Sequence, residues 1–159
     1  MVVVLDNIRS MFNTGSIFRT ADALGAEKIY LCGLTPSPLD KLGRIRPKFV
    51  KTSLGSEGSV PFEKRVSTAR VLDKLKKEGY KILAIEQHPN STPYYSLLPT
   101  SYSLNKIALV MGHEVRGLSE IVLERADKIL EIPMAGMKES LNVAIAFSIV
   151  AYELKYGKK

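Results

Sequence analysis

The sequence predicts an α/β fold in which a parallel sheet lies between two layers of helices, an α/β/α sandwich. Short apolar segments of strand length alternate along the chain with longer segments of helical periodicity. The chain has 159 residues, of which 45% are hydrophobic and 25% are charged. This length and composition suit one domain with a sizeable core, so we expect a single domain over residues 1–159.

The N-terminal part predicts a strand, a helix and a second strand. The continuous apolar run at residues 2–5 is typical of a strand that is buried on both faces. Residues 14–24 place apolar side chains on one helical face, and Gly25 is expected to end this helix. Asn13 stands where its side chain would cap the free N–H groups of that helix. Residues 28–32 form the next expected strand.

The middle of the chain predicts a long loop followed by a helix and a strand. Residues 33–47 contain three prolines and several charges, which favours a loop, and long loops in compact domains are often functional. Residues 48–65 contain glycines and a proline that break helices, so we expect only a short strand near residues 60–62. The amphipathic pattern over residues 67–78 predicts a helix, and residues 80–85 a strand.

The C-terminal part predicts two strands and two helices. Residues 107–111 and 128–132 are apolar runs of strand length, and a short helix is expected between them at residues 118–125. The final helix is expected at residues 140–155, with Ser140 as its N-cap. Because this helix is apolar almost all round, we expect it to be buried in the core or against another subunit.

Charge and composition restrict the classes of function. Lys and Arg total 23 against 16 Asp and Glu, and the net charge of +7 indicates either a nucleic-acid partner or a basic solvated surface. Cys32 is the single cysteine and the chain has two histidines, which excludes a disulfide framework within the chain and argues against a metal site. No apolar run is long enough to span a membrane, and we expect a cytoplasmic protein.

Three segments follow expected strands or open expected helices, and ligands of parallel sheets bind beyond the carboxyl ends of the strands. They are residues 13–21, 109–119 and 132–144. Each has an ordinary structural explanation: a capped helix with a surface arginine, a turn in which Glu114 interacts with a helix dipole, and an N-cap at Ser140. These explanations account less well for Gly136 and Asn142. Neither a phosphate-binding loop nor a hydrolase nucleophile motif is present.

Taken together, the three segments resemble the SpoU/TrmH family of SPOUT-class RNA ribose 2′-O-methyltransferases. The matching motifs run from Asn13 to Arg19, from Gly112 to Leu118 and from Ile132 to Val143. The resemblance implies a C-terminal deep trefoil knot, S-adenosylmethionine as cofactor and a homodimer that methylates a ribose 2′-oxygen of tRNA or rRNA. It also implies that one subunit's Arg19 faces the cofactor of its partner.

The resemblance further implies the site residues. The expected catalytic residues are Arg19, Asn13, Glu114, Ser140 and Asn142. The expected cofactor-binding residues are Met111, Gly112, Ile132, Met134 and Leu141. Glu86, at the end of an earlier strand, is expected to form another wall of that pocket. Because a guanidinium is essentially always charged, we expect Arg19 to act electrostatically and not as a simple base.

A cluster of cations supplies the expected RNA-binding surface. Its residues are Arg9, Lys41, Arg44, Arg46, Lys48 and Lys51. We expect no added RNA-binding domain, so the catalytic domain, its dimer or another protein would select the RNA. Three alternatives stay open: an RNA-binding module without turnover, a base methyltransferase of the same class, and a different enzyme on the same kind of sheet.

Overall fold

The computed structural model describes residues 1–97 and 106–157. The strands are β1 (Val2–Asp6), β2 (Lys28–Cys32), β3 (Phe62–Arg65), β4 (Lys81–Ile85), β5 (Thr92–Pro93), β6 (Ile107–Met111) and β7 (Lys128–Glu131). The helices are α1 (Met11–Ala23), α2 (Pro47–Ser53), α3 (Thr68–Lys77), α4 (Glu120–Leu123) and α5 (Val143–Tyr156). Short 3-10 turns occur at Ser56–Gly58 and Tyr94–Ser96.

All strand pairs of the sheet are parallel, in the order β3-β2-β1-β6-β4-β7-β5. The first strand lies near the centre, where Val3 pairs with Ile29 of β2 on one side and Leu109 of β6 on the other. The predicted parallel α/β fold is therefore confirmed. Because all strands run the same way, the carboxyl ends of β1, β4, β6 and β7 lie along one edge of the sheet.

Helices cover both faces of the sheet, as predicted. Helices α1, α2 and α5 pack on one face through side chains such as Phe18, Phe49 and Phe147. Helices α3 and α4 pack on the other face, which includes Leu72 and the buried Cys32. Alternate residues of β1 point into the two cores, which explains why its sequence is apolar at successive positions.

Helix α1 starts earlier than the sequence pattern suggests. Ser10 is its N-cap, with an extended backbone and a hydroxyl that accepts a hydrogen bond from the Asn13 N–H at 3.2 Å. The prediction that Asn13 caps this helix is therefore wrong. Asn13 lies inside the first turn, and its side chain is available for other contacts.

Helix α5 starts later than expected, and the prediction that Ser140 is its N-cap is wrong. The cap is Asn142, whose Oδ1 accepts hydrogen bonds from the N–H groups of Ala144 at 2.9 Å and Ile145 at 3.4 Å. Ser140 lies in the extended segment before the helix. An asparagine competes well with a serine for the cap position, so the sequence alone does not decide between them.

The region after the long loop also differs from expectation. A short helix, α2, forms with Pro47 in its first turn, where the missing proline N–H costs nothing. The strand expected near residues 60–62 lies at Phe62–Arg65 instead, because Val60 turns into the core before pairing begins. Helix α4 spans four residues, fewer than expected.

No helix among residues 1–97 and 106–157 is long and apolar enough to cross a membrane. Within the same residues, no group of three or more histidine, cysteine or acidic side chains is arranged to hold a metal ion. The trefoil knot and the single-domain organisation over residues 1–159 stay predictions. The chain from β5 to β6 includes residues 98–105, which lie outside the described residues.

Candidate functional site

A pocket of about 290 Å³ opens at the carboxyl edge of the sheet, beyond strands β4, β6 and β7. All six residues expected to bind the cofactor line it: Glu86, Met111, Gly112, Ile132, Met134 and Leu141. Two of the expected catalytic residues, Glu114 and Ser140, line it as well. We call it the cofactor pocket below.

The loop of residues 112–118 forms one wall of the cofactor pocket and is tightly folded. A Cβ atom on Gly112 would come within 2.7 Å of the Gly117 backbone, so only glycine fits there without a shift. Gly117 has a positive φ of 64°, and a side chain on it would clash with the Glu86 carboxylate. The Glu86 Oε2 atom accepts a hydrogen bond from the Leu118 N–H at 2.8 Å, which attaches this loop to the end of β4.

His113 stabilises the same loop through hydrogen bonds with residues 115–117. Its Nδ1 atom accepts hydrogen bonds from the N–H groups of Val115 at 3.0 Å and Arg116 at 3.2 Å. Its carbonyl accepts a hydrogen bond from the Gly117 N–H at 2.9 Å. His113 is thus a structural residue of the loop.

The opposite wall of the pocket is the segment of residues 133–141, which leads from β7 to α5. Its backbone N–H and C=O groups form no hydrogen bond with any of the described residues. Met134, Ser140 and Leu141 of this segment line the pocket. The segment therefore presents free backbone donors and acceptors beside apolar side chains, as a purine ring and a ribose require.

Glu114 connects the pocket loop to the start of helix α1. Its carboxylate accepts hydrogen bonds from the N–H groups of Arg9 and Ser10, each at 3.0 Å. Burial alone would raise the pKa of Glu114. The hydrogen bonds from the two backbone N–H groups and from the Asn13 side chain have a larger combined effect, so the pKa lies below its ordinary value. The carboxylate stays ionised at the positive end of the α1 dipole.

Asn13 links Glu114 to the third segment. Its Nδ2 atom donates to Glu114 Oε1 at 3.0 Å, and its Oδ1 atom accepts from Asn142 Nδ2 at 3.0 Å. The series Glu114–Asn13–Asn142 therefore joins the three segments that the sequence analysis singled out. We call this series the polar bridge. It brings together residues that are more than a hundred positions apart in the chain.

Arg19 lies outside the cofactor pocket. It is an exposed residue of α1, on a separate cleft between α1, α2 and α5 that measures about 630 Å³. Asn13 and Asn142 line the same cleft, and so does Lys51 of α2. The structure thus divides the five expected catalytic residues between two adjoining depressions. The polar bridge lies between them.

Helices α1 and α2 approach each other closely at Gly15. A Cβ atom on this residue would come within 2.9 Å of the Phe49 carbonyl oxygen and would also clash with the Thr52 hydroxyl. The glycine of the first motif therefore allows α2 to pack directly against α1. This packing brings Lys51 to the cleft that contains Arg19.

The residues expected to bind RNA are almost all exposed, and some have partners that the sequence did not reveal. Arg44 forms an ion pair with Asp40 at 3.0 Å, and the Arg46 Nε atom donates to the Leu39 carbonyl at 3.2 Å. Hydrogen bonds from the Arg44 backbone and side chain lower the pKa of Asp40. The segment of residues 40–51 is therefore less uniformly basic than its lysines and arginines suggest, because Asp40 neutralises part of the charge of Arg44.

Sequence reasoning missed part of the Arg19 cleft. Ile145, Ser148 and Tyr152 of α5 line it, and Ser148 hydrogen bonds to Thr20 of α1 at 3.0 Å. These three residues recur at helical spacing along one face of α5, beginning one turn after Asn142. That spacing was the signal that could have identified them.

Comparison with known proteins gives consistent matches along the chain. The model of the SpoU rRNA Methylase family matches residues 1–152. The 23S rRNA (guanosine-2′-O-)-methyltransferase RlmB of Salmonella typhi is 30% identical over 96% of this chain. This chain spans only 57–59% of the length of the curated relatives it matches.

Two solved structures are similar in fold and sequence. The TrmH/SpoU tRNA modifying enzyme of A. aeolicus superposes with a TM-score of 0.81 and 31% identity, over 98% of this chain and 74% of that chain. The rRNA methyltransferase of Sinorhizobium meliloti with bound AdoMet superposes with a TM-score of 0.84 and 31% identity, over 96% of this chain and 54% of that chain.

Proposed function

Because this chain belongs to the SpoU rRNA methylase family, we propose that it is an RNA methyltransferase that uses S-adenosylmethionine to methylate a ribose 2′-oxygen of tRNA or rRNA. The polar bridge carries this proposal, because it fixes three motif segments around the cofactor pocket. RlmB, a 2′-O-methyltransferase, matches 96% of this chain and so favours the ribose over a base.

The cofactor pocket fits an adenosine-containing molecule. Met111, Ile132 and Leu141 offer apolar walls, and the unpaired backbone groups of residues 133–141 offer hydrogen bonds. The volume of about 290 Å³ is at the lower end of the range of about 300–1,000 Å³ that is usual for ligand pockets. The S. meliloti relative with bound AdoMet supports the choice of cofactor.

When bound, S-adenosylmethionine supplies the methyl group on a positively charged sulfur. The protein's part is to orient the ribose hydroxyl and to favour loss of its proton. Arg19 would bind a phosphate beside the target and stabilise negative charge that develops on the 2′-oxygen. Ser140, which lines the cofactor pocket, and Asn142, which lines the adjoining Arg19 cleft, would orient the hydroxyl.

Arg19 acts on the cofactor pocket of a second subunit in this proposal. In the described part of its own chain, Arg19 lies in a different depression from the cofactor pocket. The adjacent face of α5 exposes apolar surface, including Ile145 at 53% and Tyr152 at 44%. Covering this face with the same face of a partner would form a symmetric homodimer and bring Arg19 to the partner's pocket.

The RNA would lie over the cations beside the Arg19 cleft. Lys41, Lys48 and Lys51 are exposed, and none of the three forms an ion pair within the described residues. They are therefore available for phosphate contacts. The free, buried Cys32 is compatible with a reducing compartment, and we propose a cytoplasmic location.

The test uses purified protein, labelled S-adenosylmethionine and total RNA, followed by digestion to nucleosides. We expect label in 2′-O-methyl nucleosides for the wild type and its loss in Arg19→Ala. The control is Arg70→Ala, which removes another exposed helical arginine that lies outside both depressions. Arg19→Lys should stay strongly impaired, because a lysine cannot reproduce bidentate phosphate binding.

Other outcomes would support the alternatives. Label in a methylated base would indicate a base methyltransferase of the same fold. If no label is transferred and calorimetry detects no binding of S-adenosylmethionine, the RNA-binding module without turnover becomes the better explanation. Normal turnover of Arg19→Lys would exclude a specific role for the guanidinium.

A further inference from the structure

A second cavity opens at the carboxyl edge of the sheet, on the side of α3 and α4, and measures about 620 Å³. We call it the α3-side cavity. His113 and Gly117 line both this cavity and the cofactor pocket, so the loop of residues 112–118 separates the two. Apart from the RNA contact expected of Arg9, none of the roles described above uses this cavity.

The floor of the α3-side cavity contains a buried carboxylate. Asp6, at the end of β1, is only 6% exposed. Its Oδ1 atom accepts hydrogen bonds from the Thr68 hydroxyl and from Asn7 Nδ2, whereas its Oδ2 atom accepts none from the described residues. Burial raises the pKa of Asp6, although Thr68, Asn7 and His113 oppose this. A buried carboxylate with an unused oxygen costs stability unless a donor reaches it.

Positively charged groups line the same cavity as the Asp6 carboxylate. Arg9 and Arg116 line the cavity, and neither forms an ion pair within the described residues. Helix α3 begins here, and the N–H groups of Thr68 and Ala69 in its first turn donate to no described acceptor. Two guanidinium groups next to the positive end of a helix form a suitable environment for a phosphate.

The rim of the cavity is apolar. Val66 is 94% exposed and Leu34 is 74% exposed, and both line the opening together with Ile121 of α4. Exposed aliphatic side chains at the mouth of a charged cavity offer a contact surface for the flat face of a base. Cations, a hydrogen-bond acceptor and an apolar surface are the three features that a nucleotide requires.

We propose that the α3-side cavity binds one nucleotide of the substrate RNA, next to the nucleotide that is methylated. Its phosphate contacts Arg9, Arg116 and the start of α3, and a base amino group or a ribose hydroxyl donates to Asp6 Oδ2. This inference rests on the proposed function, because it assumes an RNA substrate at the cofactor pocket. An RNA strand that crosses the loop of residues 112–118 would occupy both depressions at once.

The first experiment measures RNA affinity by fluorescence anisotropy for Arg116→Glu. Its matched control is Lys76→Glu, which makes the same charge change at the far end of α3, near the amino edge of the sheet. We expect Arg116→Glu to bind RNA roughly ten- to a hundredfold more weakly than the control, as for loss of a charged hydrogen bond. Calorimetry with S-adenosylmethionine should show that both variants bind the cofactor equally.

The second experiment uses Asp6→Asn, which keeps an acceptor for Thr68 and removes the buried charge. We expect unchanged or higher resistance to urea together with weaker RNA binding. A purely structural Asp6 would give the opposite combination, lower resistance to urea and unchanged affinity.

A third readout uses a short probe, the dinucleotide pUpU. Amide NMR signals of Ser67, Thr68 and Ala69 should shift when it is added. Shifts confined to residues 41–51, or equal RNA affinity of Arg116→Glu and Lys76→Glu, would overturn this inference and leave the proposed function intact. Failure of the wild type to bind any RNA would overturn both.

Discussion

At the scale of single residues, Glu114 joins the loop of residues 112–118 to the start of helix α1. One carboxylate satisfies two free N–H groups before helix α1 and also fixes the side chain of Asn13. Its neighbours line the cofactor pocket, so the position of α1 relative to the pocket depends on this residue. We therefore propose that Glu114 acts as a positioning residue, because both of its oxygens already accept hydrogen bonds.

Replacing Glu114 by glutamine should lower stability in a pH-dependent way. At pH 7 we expect a loss of about 1.5–3 kcal/mol in the free energy of unfolding, the range for hydrogen bonds to a charged group. Because the folded pKa of Glu114 lies below its ordinary value of 4.5, its stabilisation is fully present above that pH. It is lost as the pH falls through the lower folded pKa.

Urea unfolding of the wild type and Glu114→Gln between pH 7 and pH 3 measures this effect. The difference between the two proteins should shrink as the pH falls below 4.5. Glu124→Gln, at an exposed position of similar charge, serves as the control. A difference that is constant over this pH range would contradict the role assigned to the ionised carboxylate.

Asn142 has two functions that a single substitution can separate. Aspartate keeps the oxygen that caps α5 but removes the Nδ2 donor to Asn13. We expect Asn142→Asp to melt near the wild-type temperature and to lose most methyl transfer. Asn142→Ala should lose transfer and also about 1 kcal/mol of stability, as for other lost N-caps. Thermal melts and measurements of kcat/KM for RNA distinguish the two variants. If Asn142→Asp keeps its methyl-transfer activity, the polar bridge has no role in methyl transfer.

At the scale of secondary-structure elements, the contact between α1 and α2 determines where the basic surface lies. Gly15 permits this contact because no Cβ atom separates its backbone from Phe49 and Thr52. Helix α2 has only seven residues, and so its position depends on this packing more than on its own stability.

Gly15→Ala should therefore displace α2. We expect a loss of about 1–3 kcal/mol from overpacking, together with weaker RNA binding because Lys48 and Lys51 move with the helix. Gly58→Ala is the matched control, since a Cβ atom there meets no atom within 4 Å. Denaturant unfolding and RNA titrations give both quantities. Equal RNA affinity of the two variants would show that α2 does not position the basic surface.

The sequence predicts most elements of this fold because their patterns are local. The strands β1, β2, β4 and β6 are apolar at successive positions, and α3 has a clear amphipathic period. The location of the pocket was also predictable, because the parallel strands all end at one edge of the sheet, whereas its individual residues were implied by the family resemblance. Parallel strands bring such residues together whatever their separation in the chain.

Helix starts and partners were less predictable. Ser10 and Asn13 are both good caps, and so are Ser140 and Asn142, so propensity alone does not choose between them. The choice follows from tertiary contacts, because Asn142 donates a hydrogen bond to Asn13, and Asn13 donates one to Glu114. The pairing of Arg44 with Asp40 likewise depends on a loop whose shape the sequence does not specify.

At the scale of the whole molecule, the apolar face of α5 is the main surface that the described chain leaves uncovered beside the Arg19 cleft. Ile145→Glu places a charge on this face, where Ile145 is 53% exposed. If the proposed homodimer forms through this face, the variant should be a monomer in light scattering and should lose methyl transfer. Leu42→Glu, at an exposed loop position, is the control and should stay dimeric. A dimeric Ile145→Glu would place the interface elsewhere.

Mixing two inactive variants tests whether Arg19 serves its partner's pocket. Arg19→Ala lacks the arginine, and Leu141→Glu disturbs the cofactor pocket at a half-exposed position. If the arginine acts across a symmetric dimer, each mixed dimer retains one complete site, and an equal mixture should recover about a quarter of wild-type activity. No recovery after subunit exchange would show that each subunit uses its own Arg19.

The central place of β1 in the sheet has a consequence for biosynthesis. Val2 to Leu5 pair with β6, which the ribosome makes about a hundred residues later. At about 5–20 residues per second, the apolar edge of β1 stays uncovered for roughly 5–20 s of translation. An uncovered edge of this composition readily pairs with other chains. Until β6 has been made, this edge of β1 is therefore a place where two nascent chains of this protein can pair with each other.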